Sequence, residues 1–211
     1  MPEKVLGVLG GRDLPAEKIG EWAALADRLY AADRGAIPLL ERGFKPTITG
    51  DMDSLRLADQ DGLRIVPHWD QNSFDSDKLL MLARQDGVTD ITLAAIEGDR
   101  LDHVLGTLSS SLASPLSIRL ALRRGLGWII RPGEERSFGA RPGQRLSLMP
   151  ILPSQGVSIQ GVEWPLENQA MTMGGFISLS NRAAEDEIKI TLEAGALLFV
   201  LEFSPEELPI W

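Results

Sequence analysis

The chain has 211 residues, 44% hydrophobic and 24% charged, an ordinary globular composition with room for one large domain or two small ones. It contains no cysteine, which excludes disulfides, zinc–thiolate sites, iron–sulfur clusters and a thiol nucleophile, and fits a reducing cytoplasm. The formal net charge is −9 and the densest basic spot is the short pair Arg123 and Arg124, so neither nucleic acid nor an anionic membrane is expected as a partner. A nucleotide ligand stays compatible with this charge, because a bound metal supplies the opposite sign locally.

The first apolar stretch, within MPEKVLGVLGG, is far shorter than a signal peptide core or a membrane span. Lys4–Leu9 reads as a buried strand closed by Gly10 and Gly11. Pro15–Leu29 carries Ile19, Trp22, Ala23 and Ala26 at helical spacing. Leu29–Ala32 reads as a strand ending at Asp33, Ala36–Arg42 as one or two helical turns before Gly43, Pro46–Thr49 as a strand ending at Gly50 and Asp51, and Leu63–Pro67 as another strand. The spacing predicts a helix over Asp75–Gln85, with Leu79, Leu82 and Ala83 on its buried face, a strand over Asp90–Ala95, and a helix over Leu101–Leu112 along a stripe of Leu101, Leu105, Leu108 and Leu112. This alternation predicts an α/β N-terminal domain with a mostly parallel, doubly wound sheet.

Beyond Pro132 and Gly133 the helical period disappears. Arg145–Met149, Gly156–Gly161, Ala170–Met173, Phe176–Ser180, Glu187–Leu192 and Leu197–Phe203 are strand candidates separated by Gly, Pro or Asn turns. The expected division is an α/β domain over residues 1–131 and an all-β sandwich over 132–211.

In an open parallel sheet, ligands bind beyond the carboxyl ends of the strands. Those ends carry Asp33, then Asp51 and Asp53, then Asp75, then Arg100 and Asp102. Such crowding of carboxylates repels itself unless a cation or proton resolves it. Asp51 and Asp53 stand two apart in an extended stretch, so both can face one ion, and hard oxygen donors favour Mg²⁺; a solvated Gly-Asp turn is the alternative. Asp77 reads as a helix cap, and Lys78 either reaches a phosphate or pairs with an acid. The segment Gly98–His103 leads into a helix whose first N–H groups suit a phosphate, with Arg100 as a planar fork and Asp102 fixing that fork or capping the helix. His103 is either a general base or a surface imidazole, and His68 reads as structural. The sequence has no GxxxxGK[ST], no GxGxxG in a βαβ unit and no GxSxG; Gly10 and Gly11 are only a weak phosphate-loop signal.

Ala31–Ala36, Gly50–Ser54, Asp75 to Lys78 and Gly98–His103 stand in the order and spacing seen in thiamine pyrophosphokinases. The later segments Gly161–Asn168, Gly174–Gly175 and Ser178–Asn181 resemble the thiamine-binding half of that family, so the likeness covers almost the whole chain. The resemblance implies a cytoplasmic homodimer with sites shared between subunits, working on thiamine and ATP. It implies Mg²⁺ on Asp51, Asp53 and Asp75, with Arg100 as a further catalytic group; ATP contacts from Asp33, Gln71, Lys78, Arg100 and Asp102; and thiamine contacts from Trp164, Ser178, Ser180 and Asn181. The implied reaction is transfer of the pyrophosphoryl group of ATP to the thiamine hydroxyl, giving thiamine diphosphate and AMP. The sequence departs from the family pattern at Arg34 and Asp99, each where a Gly is usual, and at Phe74, where a Thr is usual. Those departures keep two alternatives in view: a pyrophosphokinase for another hydroxymethyl heterocycle, and a non-catalytic binding paralogue.

Overall fold

The computed structural model describes residues 2–51, 62–70, 72–98, 100–133, 135–204 and 207. The chain divides into two compact units after Arg123. The first contains β1 (Val5–Val8), α1 (Ala16–Ala23), β2 (Arg28–Ala32), a 3-10 turn (Asp33–Ala36), α2 (Ile37–Leu40), β3 (Thr47–Gly50), β4 (Ile65–Pro67), α3 (Asp75–Gln85), β5 (Asp90–Ala94), α4 (Leu101–Ala113) and β6 (Ser117–Leu122). Its six strands are all parallel, in the order β4-β3-β2-β1-β5-β6. Strands buried on both faces need no polar alternation, and β1 accordingly reads Val-Leu-Gly-Val with every residue buried.

Gly7 is the flat spot on which the helical layer rests: a Cβ there would lie 2.9 Å from the side chains of Leu79 and Leu93. The α3 boundaries match the sequence expectation, and Leu79, Leu82 and Ala83 are buried as the spacing predicts. The Phe74 amide donates to Asp77 Oδ2 at 2.9 Å, so Asp77 does act as an N-terminal cap. At the amino ends of the strands, Asp86 accepts from Tyr30 Oη at 2.9 Å and from Arg64 Nη2 at 2.8 Å. Arg64 holds the Asp86 carboxyl below the usual range, and burial with the Asp86 bond pushes the Tyr30 phenol up to about 12.

Two helices differ from the expectation. The first ends at Ala23, not Leu29, because the chain turns there to start β2; Asp27 Oδ2 accepts the Lys4 amide at 2.8 Å and Leu25 is 57% exposed. In α4 the leucine stripe is not the core face: Leu101 and Leu105 are 72% and 57% exposed. The buried face is instead Gly106, Thr107, Ser110 and Ser111. Their hydroxyls bond back to carbonyls one turn earlier, and Ser110 Oγ meets Ser76 Oγ of α3 at 2.8 Å. Small side chains let two helices approach closely while satisfying their own polar atoms.

The second unit holds β7 (Gly125–Ile130), β8 (Arg136–Gly139), β9 (Arg145–Gln160), β10 (Leu166–Met171), β11 (Ser178–Arg182), β12 (Glu187–Thr191) and β13 (Ala194–Leu201). β9 is one long strand where the sequence suggested two. Its first half pairs with β11 and β13, its second half with β10 and β12, so it passes from one sheet into the other. Pro150, Pro153 and Gly156 mark the crossing, and the β13 register shifts beside it, as expected where a strand changes sheets. Both sheets bury one apolar core, with Leu146, Leu148, Val157, Ile159, Ile188 and Ile190 at its centre. Trp128, Phe138 and Phe199 pack there with centroids 4.6–5.7 Å apart. Among the described residues, no helix is long and apolar enough to cross a membrane.

Phe199 is fully buried and touches both other rings. Phe199→Ala is expected to cost about 3–5 kcal/mol, measured as a lower urea midpoint with an unchanged denaturant slope.

Candidate active site

The strand order reverses between β1 and β5: the chain runs outward from β1 through β2, β3 and β4, then returns to pair β5 on the other side of β1. At such a switch point the loops leaving neighbouring strands part, and a crevice opens beyond their carboxyl ends. A cleft of about 570 Å³ lies there. One wall is the turn Leu9–Gly10–Gly11, held to the β5 side by Leu9 N–H to Ala94 O (2.9 Å) and Gly11 N–H to Ala95 O (2.8 Å). A Cβ on Gly11 would meet that Ala95 oxygen at 2.3 Å, so only glycine allows the two loops to come this close. Gly10 and Gly11 are therefore structural parts of the cleft, a stronger role than the sequence pattern alone implied.

The carboxylates enter from the neighbouring strand ends. Asp33 follows β2 with φ +41° and is 6% exposed. Its carboxyl packs onto Gly50 at the end of β3, where a Cβ would fall 1.9 Å from Asp33 Oδ1. Asp51 follows directly. Asp75 opens α3 and lines the cleft together with Asp33. Lys78 does not line it: this ammonium is buried, 4.0 Å from Asp75 Oδ1. Asp53 and Gln71, expected as a metal ligand and an ATP contact, lie outside the described residues, as does Asp99. Among the described residues no three His, Asp or Glu side chains are gathered closely enough to hold a metal ion. The available donors are nonetheless carboxylates, with no thiolate in the chain, and that chemistry fits a hard divalent cation.

Opposite charge comes from Arg12, Arg34 and Arg100, which all line the same cleft. Arg100 pairs with Asp102 through Nη2–Oδ2 (2.5 Å) and Nε–Oδ1 (3.2 Å), and this pairing holds the Asp102 carboxyl below the usual range. Asp102 thus fixes the guanidinium fork. Its energetic worth is small because both groups are exposed; its effect is orientation. His103 also lines the cleft, as does Phe74. The Phe74 ring is half exposed and rests on α4 where a Gly106 Cβ would be only 3.2 Å away. Arg12 was missed by sequence reasoning. Its one signal is its place after Gly10 and Gly11 at the end of the first strand.

The remaining expected residues belong to the second unit. Asn181 is 2% exposed and every polar atom of its amide is used: Oδ1 accepts from Trp164 N–H (3.2 Å) and Arg182 N–H (2.8 Å), and Nδ2 donates to Trp164 O (2.8 Å). Trp164 is 59% exposed. Ser180 is exposed, takes φ +57°, and donates its amide to Ser147 Oγ at 3.1 Å. Ser178 is half-buried at the start of β11. Asn181 therefore positions Trp164, with one Nδ2 hydrogen outside these three bonds.

These features define a two-part protein: an open α/β unit with an arginine- and carboxylate-lined cleft at its switch point, followed by a β sandwich. Residues 21–121 match the family model described as thiamin pyrophosphokinase, catalytic domain, and residues 130–197 match thiamin pyrophosphokinase, vitamin B1 binding domain. The chain belongs to the thiamin pyrophosphokinase family. Thiamine pyrophosphokinase 2 of Arabidopsis thaliana is 27% identical over 193 residues, covering 82% of this chain and 71% of that protein. Thiamine pyrophosphokinase of Bacillus subtilis is 24% identical over 181 residues, covering 80% and 84%. The fold is shared with the crystal structure of the Bacillus subtilis thiamine pyrophosphokinase (TM-score 0.79, 22% identity, 96% of this chain and 100% of that one) and with thiamin pyrophosphokinase from Candida albicans (TM-score 0.82, 14% identity, 96% and 90%).

Gly50 tests the strand-end geometry. Its φ is +144° and its missing Cβ would collide with Asp33, whereas Gly43, at φ +79°, has nothing within 4 Å. Gly43→Ala is expected to cost about 1–3 kcal/mol from backbone strain alone. Gly50→Ala is expected to cost clearly more, because Asp33 must also move; parallel urea titrations of the two variants measure the difference.

Proposed function

We propose that the protein transfers the pyrophosphoryl group of ATP to the hydroxyl of thiamine, releasing AMP. The observation that carries this reading is the cleft at the β1/β5 switch point, lined by Arg12, Arg34 and Arg100 together with Asp33 and Asp75, in a chain whose two halves match the two domains of one enzyme family. The thiamine hydroxyl oxygen bonds to the β-phosphorus as the bond from that phosphorus to the α–β bridging oxygen breaks. The hydroxyl proton leaves to a base, and AMP carries away the bridging oxygen. Such transfers depend on positioning and charge neutralisation more than on covalent catalysis.

In this reading the arginines hold the phosphate chain, with Arg100 kept in orientation by Asp102. Asp33 and Asp75 set the rim against which the nucleotide is placed; Gln71 and Lys78 complete the ATP side, Lys78 acting through Asp75. Mg²⁺, held by Asp51, Asp53 and Asp75, would supply the charge that lets a polyphosphate sit among carboxylates. The first unit takes the nucleotide and metal side, its boundary lying at Arg123 rather than 131 because β7 pairs with β13. The second unit takes the thiamine side, through the Trp164 indole with Ser178 and Ser180. The resemblance also supports a cytoplasmic homodimer with sites shared between subunits. Phe74 favours one second reading: a half-exposed aromatic ring at the cleft edge is an apolar surface that suits a different hydroxymethyl heterocycle as acceptor.

The test is AMP release from ATP. Release is expected with thiamine and Mg²⁺ together and not when either is omitted. Asp75→Asn and Arg100→Ala are each expected to lower kcat by about 10²–10³-fold. AMP release with another hydroxymethyl heterocycle but not with thiamine would transfer the assignment to the second reading. Absence of release with every alcohol would reject the reaction.

A further inference from the structure

The turn after β1 carries a carboxyl group that the proposed reaction does not use. Both oxygens of Asp13 are sealed from solvent; the Asp13 and Glu97 backbone amides are the donors nearest to the carboxyl, at a geometry poorer than a full hydrogen bond. Oδ1 lies 2.6 Å from the point where a Gly11 Cβ would project, so the carboxyl packs directly against the glycine turn that lines the cleft. Glu97 faces it from the loop after β5, between Ile96 and Gly98 of the cleft wall, and Arg123 faces it from the end of β6. Glu97 is itself tied down, accepting the Arg123 backbone N–H. Asp13 therefore sits where the two loops of the switch point meet, alongside the Gly11–Ala95 hydrogen bond.

We propose that Asp13 is a positioning residue of the cleft, its carboxyl keying the Gly10–Gly11 turn to the Ala95–Gly98 loop. The protonated form fits the site: it removes the charge that burial and Glu97 both oppose. Burial pushes this carboxyl from 3.8 up to about 6 and Glu97 adds to the rise, while the Asp13 and Glu97 amides and Arg123 offset part of it. Because the folded value is the higher one, the stabilising contribution is complete below about pH 4 and is lost as pH rises through about 6. Above that pH the buried charge loosens the join between the two loops. The inference rests on the proposed reaction only for its kinetic readout.

Asp13→Asn keeps the shape without the charge, and Asp13→Ala removes the key. The first measurement needs no substrate: thermal midpoints of the full chain from pH 4 to 8. The midpoint of Asp13→Asn relative to the unsubstituted protein is expected to rise through pH 6 and then level off. The corresponding change in folding constant approaches about a hundredfold. Amide exchange at Gly11 is expected to be slower in Asp13→Asn at pH 8. In the second measurement, Asp13→Ala raises KM for ATP several-fold at unchanged kcat, and Asp13→Asn keeps at pH 8 the KM that the unsubstituted protein shows below pH 6. A midpoint difference that does not vary with pH, or Gly11 exchange unaffected by Asp13→Asn, overturns the proposal. If the unsubstituted protein releases no AMP, the reaction assignment fails, and the midpoint and exchange measurements still decide the role of Asp13.

Discussion

Parallel strands can be joined only by crossovers, and crossovers of one hand place the helices on the face dictated by the direction in which the sheet grows. Where growth reverses, adjacent strands send their chains to opposite faces, and nothing fills the space above the junction. In this protein that junction is β1 against β5, and every group in the cleft is placed relative to it. The glycine turn after β1 and the Ala95–Gly98 loop form its walls, Asp33 approaches from β2, and Asp75 and Arg100 sit at the starts of α3 and α4. The chemistry is distributed along the chain, but the topology gathers it.

The charge of the cleft follows from the same placement. A protein with net charge −9 is a poor general attractor for polyphosphate, and long-range steering would repel one. Within the cleft the balance differs, because Arg12, Arg34 and Arg100 line it together with Asp33 and Asp75. At a few ångströms and reduced dielectric, a local pair outweighs the distant excess, which is screened beyond roughly 8 Å at physiological ionic strength. The acidic exterior and the mixed interior of the cleft are therefore compatible, and net charge alone excludes less than it first suggests.

What was legible in the sequence divides along the same line between local and convergent information. Asp75–Gln85 was readable because its cap, its apolar spacing and its end are all local. The strand-end aspartates were readable because strand ends are functional ground in this class of sheet. The leucines of α4 misled, since spacing identifies a face but not what covers it; the buried face is made of serine, threonine and glycine, which hydropathy does not flag. The strands Ser117–Leu122 and Gly125–Ile130 are apolar runs separated only by Arg123 and Arg124, and no Gly-Pro or Asn turn signal sets them apart in the sequence. Arg12, the burial of Lys78 and the contact of Asp33 with Gly50 depend on distances across the sheet, and no spacing along the chain encodes them.

Asn181 shows why a family motif and a contact are different things. The resemblance implies a contact with the acceptor, and the side chain also holds the Trp164 and Arg182 backbone groups. Two of these hydrogen bonds, made from a 2% exposed side chain, hold the Trp164 main chain, because leaving a buried amide group of Asn181 unpaired costs about 1–3 kcal/mol. The indole stays 59% exposed on a backbone that cannot easily move. A rigid backbone carrying an exposed aromatic ring loses little conformational entropy when something packs against it. Asn181 thus acts on whatever meets the ring through Trp164, just as Asp102 acts through Arg100. In both cases the residue beside the presumed contact is the one whose hydrogen bonds set its geometry.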